Sequence, residues 1–286
     1  MKVPYFDLSR SHQKFVAEAQ EAFDRILKSG AYILGPALKE LEAAFAAYIG
    51  TKYALGVGSG TDALTFALKA VVIKKGDEVI VPSFTFTSTA LAVIHAGATP
   101  VFADVEENTF NLDPRSVAQA LSRKTRAILP VHLFGQCANM TALMAIAKQK
   151  KLKVVEDACQ AHGALWGQAM AGAFGNAGCF SFYPTKNLGG IGDGGMVTTS
   201  EDKILRLVTQ YRNLGKGIDD PFVHDEIGWT SRLDSLQAAF LSIKLKFLDE
   251  LNRERRAVAE LYHKKLAGTP LALPREVAGS YHVYHL

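Results

Sequence analysis

Cysteine is scarce in this chain. Three residues among 286, Cys137, Cys159 and Cys179, form neither an even set nor a CxxC pair. That excludes a disulfide framework and a cysteine-rich zinc site, and it fits a reducing compartment, with the cytoplasm as the expected location. No apolar run approaches the roughly 18 residues that a membrane helix needs. The opening MKVPYFDLSRSHQKF also lacks the apolar stretch of a secretory leader. Charge of one sign is not in excess: 32 Lys plus Arg face 28 Asp plus Glu. Beyond Arg253, Arg255 and Arg256 there is no basic stripe, so composition gives no support for nucleic-acid binding. Repeats and low-complexity tracts are missing too. What is present is an ordinary globular mixture, 48% hydrophobic and 21% charged, at a length that suits two domains or one large α/β domain.

Short β-rich runs alternate with helical patterns. Strands are expected at 53–58, 78–81, 100–105, 127–133 and 153–158. Helices are expected at 13–29, 61–72, 86–96, from Asp113, and at 140–150. In the first helix Phe15, Ala19, Phe23, Ile26 and Leu27 share a face. Strands alternating with helices imply βαβ units on a mainly parallel sheet, and continuous apolar runs such as AILPV imply that both sheet faces are covered. GCFSFYP (178–184) and GGMVTTS (194–200) are too close for a helical crossover, so they read as a hairpin-like exception. Residues 231–265 read as one long helix with Ser231 as its N-cap, ended by Gly268 and Pro270. The final SYHVYHL is strand-like, either a terminal edge strand or an element cut in its middle. The second is the expectation taken here.

Five segments carry chemistry. GVGSGTDAL (56–64) is a Gly-rich turn opening a helix, which suits an anion. A plain strand-to-helix turn is the simpler alternative. The G-x-G-x-x-T spelling lacks the third glycine of a dinucleotide fingerprint, which disfavours a NAD-type enzyme. In PSFTFTSTA (82–90), Phe86 can stack on a flat ligand; spacing alone favours a core phenylalanine. In VVEDACQAHGA, Asp157 follows an apolar strand, at the edge where α/β sheets bind ligands. Such a carboxylate needs a partner: a metal, an Arg or a protonated ring nitrogen. His162 is the only imidazole nearby, and its spacing to Asp157 is not that of a metal site; His95, His132 and His162 all read as packed core residues. FSFYPTKNLGGIGDGG places Ser181 and Lys186 at a strand exit before flexible glycines. A Lys there can form an imine with a carbonyl ligand, although most Lys residues are simply solvated. GWTSRLDSLQAAF says only that a helix begins. Together, a phosphate turn, an aromatic ring, an acid and an imine lysine are the parts that pyridoxal 5'-phosphate (PLP) needs.

At this point the sequence resembles a known family. GSGTDAL, VPSFTFTSTA, VFADVEENTFNLDP, PVHLFGQ, EDACQAHGA, SFYPTKNLGGIGDGG and GWTSRLDSLQAA match, in order, the DegT/StrS-type nucleotide-sugar aminotransferases of the aspartate-aminotransferase superfamily, PLP fold type I. The resemblance implies a mainly parallel seven-stranded sheet flanked by helices. It implies a PLP-binding large domain with an N-terminal helical arm over 1–230, and a linking helix with the start of a truncated small domain over 231–286. By that similarity Lys186 is the Schiff-base lysine and Asp157 the partner of the pyridine nitrogen. Gln160 lies near the ring hydroxyl and Phe86 stacks on the ring. Gly60, the backbone N–H groups of Thr61 and Asp62, and the Ser181 hydroxyl hold the phosphate. Thr230 stands where members commonly carry an Asn that reaches the neighbouring subunit's phosphate. Cys159 replaces the alanine of EDAAQ, and the family continues well past YHVYHL.

The implied activity is transamination from glutamate to a keto group, with the wording leaning towards 3-keto, on a nucleotide-linked sugar, within a homodimer and without a metal. Alternatives are a truncated homologue that binds PLP without turnover and a PLP-dependent sugar dehydratase. Dehydratases of this fold carry His at the lysine position, so Lys186 argues against the latter.

Overall fold

The computed structural model of the chain describes residues 4, 6–220 and 222–286. An N-terminal arm holds α1 (Leu8–His12), a short 3-10 turn and α2 (Val16–Ser29), followed by α3 (Pro36–Ile49). The sheet region then runs β1 (Tyr53–Val57), α4 (Gly60–Ala70), β2 (Glu78–Pro82), α5 (Ser88–His95), β3 (Thr99–Ala103), α6 (Pro114–Ala120), β4 (Thr125–Ile128), α7 (Met140–Lys150) and β5 (Lys153–Asp157). After the small ribbon β6 (Leu165–Trp166) and β7 (Ala169–Met170) come β8 (Ala177–Ser181), β9 (Gly195–Thr199) and α8 (Asp202–Tyr211). The chain finishes with α9 (Ser235–Leu245), α10 (Leu248–Leu266) and β10 (Ser280–Tyr281).

The seven-stranded sheet has the order β1-β9-β8-β5-β4-β2-β3. Its ladders are parallel from β8 through β3, whereas β9 runs antiparallel to both β1 and β8. Six strands therefore point one way, and β9 alone opposes them, as the short 182–194 connection requires. Alternate residues of single strands feed opposite cores. Val79 and Val81 pack under α4 and α5, while Ile80 packs with Leu112, Val117 and Leu143. Cys179 faces the α4 side and Phe180 the α3 side. That alternation places helices on both faces, which is why the strands read as unbroken apolar runs.

Several expectations change. The pattern at 231–265 is two helices: the backbone breaks at Phe247 (φ −109°, ψ 3°), whose N–H bonds Lys244 O. The periodicity bridges the break because Phe240, Ile243, Phe247 and Leu251 all pack around Phe15. The N-cap is Asp234, accepting from Gln237 N, and not Ser231, which is engaged elsewhere. Leu27 is 58% exposed, since the buried stripe of α2 runs through Ala19, Ala22 and Ile26. His95 is exposed at the end of α5, whereas His132 and His162 are fully buried. The ladder of β4 stops before Pro130, which has no N–H to donate. At the far end, β10 pairs antiparallel with β6, and the N–H groups of Val283 and His285 donate to Gly135 O and Phe134 O.

Candidate active site

The carboxyl ends of β1, β5 and β8 meet at one sheet edge. Beyond β1 the Ser59 hydroxyl caps α4 by accepting from Asp62 N at 3.1 Å. The first helical bond is Ala63 N to Ser59 O, so the N–H groups of Gly60 and Thr61 have no acceptor within the helix. Asp62 N–H is thus spent on the cap, and the Asp62 side chain accepts from Ser231 Oγ at 2.7 Å. Ser231 Oγ also accepts from Gly58 N at 2.9 Å, fastening the turn to the chain just before α9. Behind it Glu42 accepts from Gly56 N, Arg212 donates to Gly56 O, and the two side chains pair.

The helix start lies directly against the other strands. A Cβ on Gly60 would sit 2.7 Å from Ser181 Cβ and 3.0 Å from Cys159 Sγ. A Cβ on Gly195 would come 2.3 Å from Ser59 O. Glycine at both positions lets the β1 turn, the β8 exit and the β5 turn close on one another.

Asp157 ends β5 and is 5% exposed. Its Oδ2 accepts from Thr89 Oγ1 at 2.8 Å and its Oδ1 from Cys159 N at 3.2 Å. The Thr89 hydroxyl lies 2.8 Å from that of Thr85, and Ser88 next to it accepts from Thr61 Oγ1 at 2.9 Å, so α5 links the acid to the phosphate turn. Both donors to Asp157 are uncharged, and it forms no salt bridge among the described residues. A buried carboxylate held this way is suited to a cationic partner from outside the chain.

Its neighbour Glu156 is fully buried and differently satisfied. It accepts from the N–H groups of Gly172, Phe174 and Gly175 at 2.7–2.8 Å and from His132 Nε2 at 2.9 Å. His132 Nδ1 accepts from Ala138 N, which puts the ring proton on Nε2. This knot anchors the end of β5, so that Asp157 emerges from a fixed strand.

Lys186 follows β8 in a tight turn closed by its own N–H to Tyr183 O at 2.9 Å. Burial and Asp157 push the Cys159 thiol well up, while Lys186 opposes them. The acid and the lysine are therefore both near enough to act on that sulfur. Burial, helped by Lys186, holds His162 well below its usual range and His285 down to about 3. On its other side Lys186 borders a cavity of about 680 Å³ shared with Asn187, Lys244, Arg255, His285 and His12 of the arm.

Gly60, Thr61, Asp62, Ser181 and Asp157 thus converge, with Lys186 close enough to influence Cys159 beside them. Gln160 lies three residues beyond Asp157 and accepts from Phe134 N at 2.8 Å. Phe86 is 71% exposed just before α5, so the core-phenylalanine alternative fails. Thr230 is exposed beside Ser231, its backbone bridged to Asn213. Sequence reading missed Thr89 and Ser231 as parts of the site. The Thr85 to Thr89 spacing, one helical turn, was the available signal for the first.

The sequence profile of the DegT/DnrJ/EryC1/StrS aminotransferase family matches residues 13–286. A pleiotropic regulatory protein of Geobacillus stearothermophilus is 44% identical over 288 residues, covering 100% of this chain and 77% of that protein. The dTDP-3-amino-3,4,6-trideoxy-alpha-D-glucose transaminase of Streptomyces venezuelae is 45% identical over 286 residues, covering 100% of this chain and 75% of its own length. Among solved structures, S. venezuelae DesV in complex with a ketimine intermediate superposes with a TM-score of 0.95 at 44% identity, over 99% of this chain and 76% of that one.

Proposed function

The chain belongs to the DegT/DnrJ/EryC1/StrS aminotransferase family, and we propose on that premise that it transfers an amino group from glutamate to the 3-keto group of a nucleotide-linked deoxysugar. The family makes it a PLP-dependent sugar aminotransferase; the donor, the ring position and the sugar are the proposal. The C3 assignment is supported by the transaminase of 45% identity, which is named for a 3-amino sugar.

The observation that carries the reading is Asp157: a buried carboxylate without a cationic partner among the described residues, next to a sulfur that also feels Lys186. PLP, when bound, supplies an aldehyde for an imine and a pyridinium that drains charge from a carbon losing its proton. Lys186 Nζ is the amine that holds it. When free, the same nitrogen would take the proton from the donor's α-carbon and return it two bonds away, across the nitrogen being transferred, acting as base and then acid. Asp157 would hold the ring nitrogen in its protonated form. The Gly60 and Thr61 N–H groups and the Ser181 hydroxyl suit the phosphate, at a helix start whose dipole favours an anion. Phe86 offers an exposed face for stacking, and Gln160 would serve the ring hydroxyl. In this reading 1–230 binds the cofactor and 231–286 braces the lysine loop.

The segment 214–230 exposes Ile218, Phe222, Val223, Ile227 and Trp229. An apolar strip of this kind suits a second copy of the chain, and Thr230 at its end would then face the partner's phosphate. No helix among the described residues is long and apolar enough to cross a membrane; with three unpaired cysteines, a cytoplasmic homodimer is the assignment we make.

The test is optical. PLP added to the purified chain is expected to give an imine band at the edge of the visible range, and Lys186→Ala to abolish both the band and amino transfer from glutamate. A Lys186→Ala protein with full transaminase activity overturns the proposal.

A further inference from the structure

Three polar side chains from α9 and α10 grip the loop that carries Lys186. Gln237 Oε1 accepts from Ile191 N at 2.9 Å, and Lys244 Nζ donates to Gly189 O at 2.6 Å. Asn252 Oδ1 accepts from Asn187 Nδ2 at 2.8 Å. Of these three, Asn252 also reaches the other half of the site: its Nδ2 donates to His162 O at 2.9 Å, in the turn that follows Asp157 and Gln160.

Asn252 is 1% exposed. His162 O can only accept, so the amide nitrogen must face it and the amide oxygen must face Asn187, which fixes the orientation of the group. The turn leaves no slack. Gly163 has φ +86°, and a Cβ on it would lie 2.7 Å from Asn252 Nδ2. Asn187, 4% exposed, spends its second amide hydrogen on Val283 O at 3.0 Å. The residue next to Lys186 is therefore tied through one amide to the segment that begins at Asp157.

Lys186 and Asp157 must act on opposite ends of one rigid ligand ring, so their separation matters to the reaction. A misplacement of about 1 Å can cost on the order of a hundredfold in rate. We infer that Asn252 is a positioning residue, which sets the Lys186 loop against the Asp157 turn by bonding to both. This rests on the reading of Lys186 as the imine lysine. A residue that merely filled the interface of α10 would contribute stability and leave the chemistry of Lys186 alone.

The experiment uses the whole chain with Asn252→Leu, which removes both bonds, and Asn252→Asp, which keeps the acceptor for Asn187 but sets an oxygen against His162 O. Three readouts are taken: the pH midpoint of the imine band, kcat and KM for the keto-sugar, and amide hydrogen exchange of residues 158–164 and 186–191 without PLP. The expected result is a displaced imine midpoint, a kcat lower by about 10- to 100-fold with KM within about twofold, and faster exchange in both segments at once. A variant that folds, with normal midpoint, normal kcat and normal exchange, overturns the role of Asn252, as does faster exchange in one segment alone. Should Asn252→Leu not fold, Asn252→Asp decides by the same criteria. A wild-type chain without an imine band overturns the functional reading itself, an outcome distinct from a normal band that Asn252 does not influence.

Discussion

The Thr89 hydroxyl donates to the Asp157 carboxylate at 2.8 Å, from the first turn of α5 to the last residue of β5, 68 positions apart. The bond fixes the rotation of the carboxylate, and its acceptor is an acid buried at 5% exposure. Hydrogen bonds to charged groups contribute about 1.5–3 kcal/mol. Thr89→Val, close in shape but without the hydroxyl, is therefore expected to lower kcat roughly tenfold or more at one PLP per chain. Asp157→Asn, which loses the charge as well, should lower it further. Steady-state rates on PLP-saturated protein check the order of the two effects; equal activity of Thr89→Val and wild type would remove Thr89 from the site.

Gly60 is a place where one methyl group is too many. Its Cβ would press on Ser181 and Cys159, and overpacking of a tight contact costs about 1–3 kcal/mol. Gly60→Ala should weaken PLP binding by about tenfold, the equivalent of 1.4 kcal/mol, and lower the urea midpoint. Titration of apo protein with PLP, followed by absorbance, measures the first; unchanged affinity would mean that the α4 start does not hold the phosphate.

His132 and Glu156 form a stability site next to, but separate from, the chemistry. His132→Phe fills the space but removes the donor to Glu156 and the acceptor for Ala138 N. Ala138 N–H is left unpaired, at about 1–3 kcal/mol, while Glu156 keeps its three backbone donors and loses one hydrogen bond to a charged group, at about 1.5–3 kcal/mol, so the total should be about 2.5–6 kcal/mol. Urea unfolding followed by circular dichroism reads this directly.

Stability should rise with pH in the acid range and fall in the alkaline range. Burial holds His12 and His282 down to about 4, with Lys244 assisting for the first and Arg256 for the second. The unfolded chain binds their protons from pH 6.5 downwards while the folded chain does not, so stability is complete above about 6.5 and is lost as pH falls towards 4. Burial, then Arg255, lowers Lys244 to about 8 against an ordinary 10.5, which adds stability between those values, but burial raises the thiols of Cys137, Cys159 and Cys179 above their ordinary 9, which removes more as pH passes 9. Urea midpoints against pH check both. His12→Phe should flatten part of the acid slope, and Lys244→Met should steepen the alkaline fall.

Much of this site is written in local sequence. Apolar runs announced β1, β2, β4, β5 and β8, and each motif sits at the end of a strand or the start of a helix, where periodicity changes. The parts that escaped are those whose partner is remote. Lys244 and Asn252 occupy a helical pattern as polar letters and so read as solvated, yet they are 4% and 1% exposed because the lysine loop folds onto them. Ser231 looked like a helix cap since a Ser before an apolar run usually is one; it instead ties Gly58 to Asp62. The break at Phe247 was invisible because both helices press the same kind of side chain into one cluster.

β1 sits at the edge of the main sheet and pairs there with β9, the last of the seven strands in the chain. During synthesis, the segment proposed to hold the phosphate leaves the ribosome long before the partner strand that secures it. Every earlier strand can find its neighbour first, and ring closure of so long a stretch is slow. Ligand capture is thereby deferred until nearly 200 residues have been made, so a nascent chain stalled before β9 would carry the lysine but no cradle for the cofactor.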